Sequence, residues 1–124
     1  VLIDYLTLMK PGEPFKTIEH QSVSQMTKDL KIMSKELNVP VVCLAQLSRG
    51  LEQRNDKRPM MSDLRESGAI EEDSNFIGFL YRDSYYSKDD SDNSFEILVA
   101  KNRGGAIGQV NCIYNKFTGK ISEI

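Results

Sequence analysis

The sequence predicts an α/β fold in which a short parallel sheet is followed by antiparallel strands. Three observations carry this. Two apolar runs, Val1 to Leu6 and Val41 to Ala45, are continuous rather than alternating, the pattern of parallel strands buried on both faces. Between them lies a stretch with helical periodicity, so the order is strand, helix, strand, and short joints of that kind favour a parallel pair. Later, Phe95 to Lys101 and Gln109 to Tyr114 are joined by Arg103-Gly104-Gly105-Ala106-Ile107-Gly108, a joint so short that it implies a hairpin.

The elements follow in order. Val1 to Leu6 reads as the first strand. Lys10 to Phe15 carries Pro11, Gly12 and Pro14 and reads as loop. Val23, Met26, Leu30, Met33 and Leu37 form one apolar helical stripe. Ser22 with Gln25 fits a capping box at its start, and Asn38 with Pro40 fits its stop. Gln46 to Met61 is polar, mixed in charge, and reads as loop. Ser62 to Ser74 reads as helical pieces broken near Gly68, with Ser62 as N-cap and Asp63 and Glu66 in the first turn. Asn75 to Tyr81 is a third strand, and Asp83 to Ser94, rich in Ser, Asp and Asn, is expected to be a surface loop. The tail, Lys116 to Ile124, adds an edge strand through a turn at Thr118-Gly119.

The chain has 124 residues, a net charge of −2 and a pI near 5.4. That is one domain's worth of chain, and its mild acidity argues against holding nucleic acid by bulk positive charge. The run from Val39 to Ala45 is too short to span a bilayer, and no signal peptide is expected. Cys43 and Cys112 sit in separate apolar stretches and read as small buried hydrophobes, not zinc ligands. His20, the single histidine, stands in a polar stretch without a hydrolase motif and reads as a surface residue.

In parallel sheets, functional groups collect beyond the carboxyl ends of the strands, which directs attention to Asp4 and Gln46. A carboxylate there suits Mg2+ beside a triphosphate, directly or through water, and an amide suits sensing a γ-phosphate. Taken singly, Asp4 reads first as a loop cap and Gln46 as a loop residue bonded to backbone. Arg65 and the backbone near Gly68 suit a phosphate of a nucleic-acid strand, with a solvated helix turn as the plainer reading. Lys101 and Arg103 at a hairpin tip suit an arginine finger, with a basic tip that keeps the hairpin soluble as the usual case. No G-x-x-x-x-G-K-[ST] motif occurs, so the chain carries no phosphate-cradling P-loop.

Together these segments resemble the replicative DNA helicases of the DnaB type. The stretches that carry the resemblance are Val1-Leu2-Ile3-Asp4-Tyr5-Leu6, Glu36-Leu37-Asn38-Val39-Pro40-Val41-Val42 and Gln46-Leu47-Ser48-Arg49-Gly50-Leu51-Glu52-Gln53-Arg54. Lys57-Arg58-Pro59, Ser62 to Gly68, Phe79-Leu80-Tyr81-Arg82-Asp83 and Ala100-Lys101-Asn102-Arg103 follow in order. The resemblance implies a partial RecA-like (P-loop NTPase) domain spanning 1–124, with parallel sheet, helices and a C-terminal antiparallel hairpin, lacking the P-loop strand. It implies ATP and Mg2+ as cofactors, single-stranded DNA as track, a homohexameric ring, and primase and a helicase loader as partners, in the cytoplasm at replication forks and without a membrane.

By the same resemblance, Asp4 looks like the Walker B carboxylate, holding Mg2+ through water, and Gln46 like the residue coupling nucleotide state to the DNA loops. Arg65, Glu66 and Gly68 look like the loop that tracks the DNA backbone. Lys101 and Arg103 look like the pair that completes a neighbour's ATP site. The family's P-loop and catalytic glutamate precede the Walker B strand, so this chain alone is expected not to hydrolyse ATP. The rivals are a RecA-like recombinase or other ring ATPase, and a truncated non-catalytic DNA-binding or assembly module.

Overall fold

The apolar run that opens the chain stops being a strand after two residues. In the computed structural model, which describes residues 1–9, 19–64, 67–89 and 91–124, β1 is Leu2–Ile3 and β2 is Val42–Cys43. They pair in parallel, Leu2 opposite Val42 and Ile3 opposite Cys43. Leu44 N–H donates to Ile3 O at 2.9 Å and Leu6 N–H to Leu44 O at 2.8 Å, which prolongs the pairing past both strands. Leu6 then enters a 3₁₀ turn, Leu6–Leu8, that drops its side chain into the core. The loop expected over 10–15, the side chain of His20, and Arg65 and Glu66 lie outside the described residues.

The helix α1, Glu19–Glu36, begins earlier than its apolar stripe suggested. Ser22 is therefore an interior, buried residue rather than an N-cap, and Gln25 donates to Asp29 at 2.7 Å instead of closing a capping box. The stop is as expected. Asn38 takes a left-handed φ of 49°, its N–H donates to Lys35 O, and Val39 N–H donates to Ser34 O. This 6→1 and 5→2 pair is a Schellman closure, and Pro40 bars any continuation.

The chain divides into two compact units, one of 1–49 and 61–74, the other of 50–60 and 75–124. In the first, Leu6, Val23 and Met26 form the buried core, with Met9, Leu30, Cys43 and Ile70 packed on it. Each such side chain contributes roughly 1.5–3 kcal/mol of burial. The stripe buries only its first turns, since Leu37 is 60% exposed. The helical pieces after the loop are a 3₁₀ turn, Met61–Asp63, and α2, Ser67–Asp73. Ser62 lies inside that turn rather than capping it, and Asp63 is buried. Leu64 leaves the turn to pair with Leu47. Thr27 on α1 donates to Asp73 on α2 at 2.6 Å.

The second unit is a four-stranded antiparallel sheet in the order β3-β4-β5-β6. Its strands are Phe76–Tyr81, Ser94–Asn102, Gly108–Asn115 and Lys120–Glu123. The expected hairpin is thus the centre of a larger sheet. The third strand joins it because no crossover helix of parallel-pair length separates it from β4. The segment expected as a plain loop there contains α3, Ser84–Ser87. The tail strand forms as predicted, with Gly119 at φ 70° in its turn and Asn115 Oδ1 accepting from Phe117 and Thr118 N–H.

The two faces of β3 differ. Ile77, Phe79 and Tyr81 are buried, while Phe76 and Leu80 are exposed. On the buried side the polar segment 50–60 folds over the sheet, with Leu51 and Pro59 buried. Arg58 grips Glu96 with two bonds of 2.7 Å and lies 4.9 Å from the centre of the Tyr81 ring. Burial and a hydroxyl donated to Asp83 at 2.6 Å push the Tyr81 phenol up to about 12. An unfolded tyrosine ionises near pH ~10. The folded state therefore holds the extra proton between these values, and stability falls as pH rises through that window. An ultraviolet tyrosinate titration is expected to show a late-ionising phenol that Tyr81→Phe removes; a Tyr81→Phe curve identical to wild type contradicts this.

Candidate functional site

Asp4 and Gln46 leave the same end of two adjacent parallel strands. Asp4 follows Ile3 directly, and Gln46 stands three residues past Cys43. Both are exposed. Among the described residues none hydrogen-bonds either side chain, so the Asp4 carboxylate does not cap a loop and the Gln46 amide is not tied to backbone. A lone open carboxylate is a hard oxygen donor that fits a mostly hydrated Mg2+. Among the described residues no group of three or more His, Cys, Asp or Glu is placed to hold a metal.

From Gln46 the chain runs straight into a contact with the DNA-loop candidate. Leu47 forms an antiparallel bridge with Leu64, and Ser48 N–H donates to Asp63 O at 2.7 Å. Arg65 is the next residue after Leu64. Gly68 lies in the first turn of α2 and is exposed. Its φ is not left-handed, and a Cβ placed there meets nothing within 4 Å. An unusual turn is therefore not the reason for glycine at 68.

Lys101 and Arg103 belong to the other unit and do not share a setting. Lys101 is in the ladder opposite Ile77, half-buried. Arg103 is the first residue of the turn after β4 and is exposed, so strand alternation no longer relates the two. Its own N–H donates to Asn75 O at 2.9 Å. Asn102, to which the sequence assigned no role, shapes the tip: its Oδ1 accepts from Gly104 N–H and its Nδ2 donates to Ala106 O, both at 3.1 Å.

A second feature had no reading from sequence. An open cleft of about 320 Å³ is lined by Tyr81, Arg82, Tyr85, Tyr86, Phe95 and Tyr114 with Leu80. The Arg82 guanidinium lies 4.9 Å over the Tyr114 ring. Tyr85 meets Tyr86 edge-on at 5.0 Å. Such a surface suits a planar aromatic ligand. The signal was the recurrence of Tyr at 81, 85 and 86 around Arg82, but its partners on β4 and β5 are distant in sequence. The cleft lies by Phe95, at the opposite end of β4 from Arg103; Asn102 stands seven residues along the strand from Phe95, ~23 Å.

The family pattern described as DnaB-like helicase C terminal domain matches residues 1–123. The chain belongs to this family. It is 51% identical over 122 residues to the Replicative DNA helicase DnaC of Bacillus subtilis (strain 168), a match that covers 94% of this chain and 27% of that protein. To the Replicative DNA helicase DnaB of Geobacillus stearothermophilus it is 50% identical over 122 residues, again 94% of this chain and 27% of that one. The chain thus spans about a quarter of these relatives. A solved DnaB-like replicative helicase, described with its interactions with primase, matches all of this chain and 30% of its own at TM-score 0.92 and 47% identity. A solved ATPase domain matches equally well, at 0.92 and 47%, over 44% of its length. At that identity the fold is the α/β fold of a DnaB-like ATPase domain.

Proposed function

We propose that this chain is the C-terminal part of a replicative helicase that translocates on single-stranded DNA as a homohexameric ring, driven by ATP hydrolysis at the replication fork. The observation that carries this reading is the Leu47–Leu64 bridge. It joins the residue after Gln46, at the strand ends where a triphosphate and Mg2+ belong, to the residue before Arg65. A shift of Gln46 on loss of the γ-phosphate pulls on Leu47, and through it on the segment 65–68 that holds DNA. Asp4 holds the hydrated Mg2+, which when bound offsets phosphate charge. Arg103, exposed at the head of the turn after β4, stands outside the strand and fits action on a neighbouring subunit's ATP. Primase and a loader are the partners this reading implies.

A few phosphate contacts per subunit suffice in a closed ring, and phosphate contacts carry no sequence information, so the acidic pI is no obstacle. The test is fluorescence-anisotropy titration of the intact helicase with single strands of differing sequence. Arg65→Ala is expected to weaken binding equally for all sequences and to flatten the salt dependence by ~0.7 per lost phosphate contact. Gly68→Ala is expected to weaken binding while leaving the fold as stable or more so, by up to ~1 kcal/mol, since alanine is the better helix former. Unchanged affinity in both variants refutes the assignment of this loop to DNA.

A further inference from the structure

We propose that Asn102 is a positioning residue for Arg103, holding the hairpin tip so that the guanidinium is presented in one place. This rests on Arg103 acting as the finger. The backbone at Arg103 is bonded on both sides. Its own N–H is taken by Asn75 O at 2.9 Å, and the next N–H, of Gly104, by Asn102 Oδ1 at 3.1 Å. The same amide reaches on to Ala106 O through Nδ2, so one side chain spans the turn from 102 to 106. An Asx closure of this kind fixes a turn that the glycines alone leave open. Gly104 and Gly105 are not held in left-handed conformations, so backbone geometry does not require glycine there. At 105 the requirement is space: a Cβ would stand 3.0 Å from Asn102 Nδ2, whereas at 104 the nearest atom is Asn102 Oδ1 at 3.8 Å. The tip is thus built around the Asn102 amide, whose separate acceptor and donor atoms make both bonds at once.

Fixing the finger matters because misplacing a catalytic group by ~1 Å costs on the order of 10²-fold in rate. The experiment is DNA-stimulated ATP turnover by the intact hexamer, with nucleotide affinity and ring assembly measured alongside. Asn102→Ala is expected to lower kcat on the order of 10- to 100-fold, with KM changed less than about twofold. Asn102→Asp keeps the acceptor for Gly104 N–H and is expected to recover much of that loss. Gly105→Ala, which pushes the amide aside without removing it, is expected to lower kcat in the same way. This keeps the proposal testable should Asn102→Ala fail to assemble. In the double variant Asn102→Ala/Arg103→Ala, the loss is expected to equal that of Arg103→Ala alone, since one residue acts through the other. Wild-type kcat in Asn102→Ala and Gly105→Ala beside an inactive Arg103→Ala overturns the positioning role only. An active Arg103→Ala overturns the finger itself, and the positioning role with it.

Discussion

Arg103→Ala in the intact hexamer is expected to lower ATP turnover by about 10³- to 10⁵-fold while nucleotide affinity stays near wild type. A guanidinium at a phosphoryl-transfer site acts on charge that develops in the transition state, so its loss falls on kcat and not on ground-state binding. Three structural facts single out this residue. It is exposed, it heads the turn after β4, and its backbone is held by Asn75. Lys101 is half-buried within the ladder opposite Ile77, so its replacement is expected to cost less in turnover than that of Arg103. Arg103→Lys keeps the charge but loses the planar fork, so it is expected to recover little. Steady-state turnover beside equilibrium nucleotide binding separates the effects; an Arg103→Ala enzyme that turns over normally removes the finger from the mechanism.

Asp4→Asn is expected to reduce turnover by roughly 10- to 100-fold, the range for losing a group that holds a metal through its water shell. The carboxylate is exposed at the end of β1 and unbonded among the described residues, so the change removes charge without leaving a partner stranded. Folding is therefore expected to be unaffected, and circular dichroism should be unchanged. The decisive measurement is the Mg2+ dependence of turnover: the half-saturating concentration should rise. A variant with a wild-type Mg2+ curve shows that Asp4 is no ligand, whatever its rate.

Much of the fold was legible because local chemistry dictates it. Asn38 and Pro40 close α1 where the sequence placed its end, since only a residue tolerant of left-handed φ followed by a helix breaker gives that closure. Continuous apolar runs placed β1 and β2 in a parallel pair. Thr118-Gly119 placed the last turn. Ser22 was misjudged because a capping box is a local signal, whereas the length of α1 extends to Glu19, one turn beyond the apolar stripe. The segment 50–60 was read as loop because it is polar. Its two buried residues, Leu51 and Pro59, and the reach of Arg58 to Glu96 across 38 positions are what dock it, and nothing local announces them.

The candidate site divides along the same line. The sequence by itself determined which residues are the candidates for the chemistry: a carboxylate and an amide at strand ends, cations at a hairpin tip, a glycine by an arginine. Residue type and adjacency suffice for that. Only the tertiary structure decided which of them lie together. It put Asp4 and Gln46 at one end of one parallel pair, tied Gln46 to the DNA-loop candidate through Leu47 and Leu64, and separated Lys101 from Arg103 at the end of a strand. It also gave Asn102 a part that no pattern showed. The physical reason is that strand pairing and side-chain bonds across a turn are set by register, and register depends on packing between residues far apart in the chain.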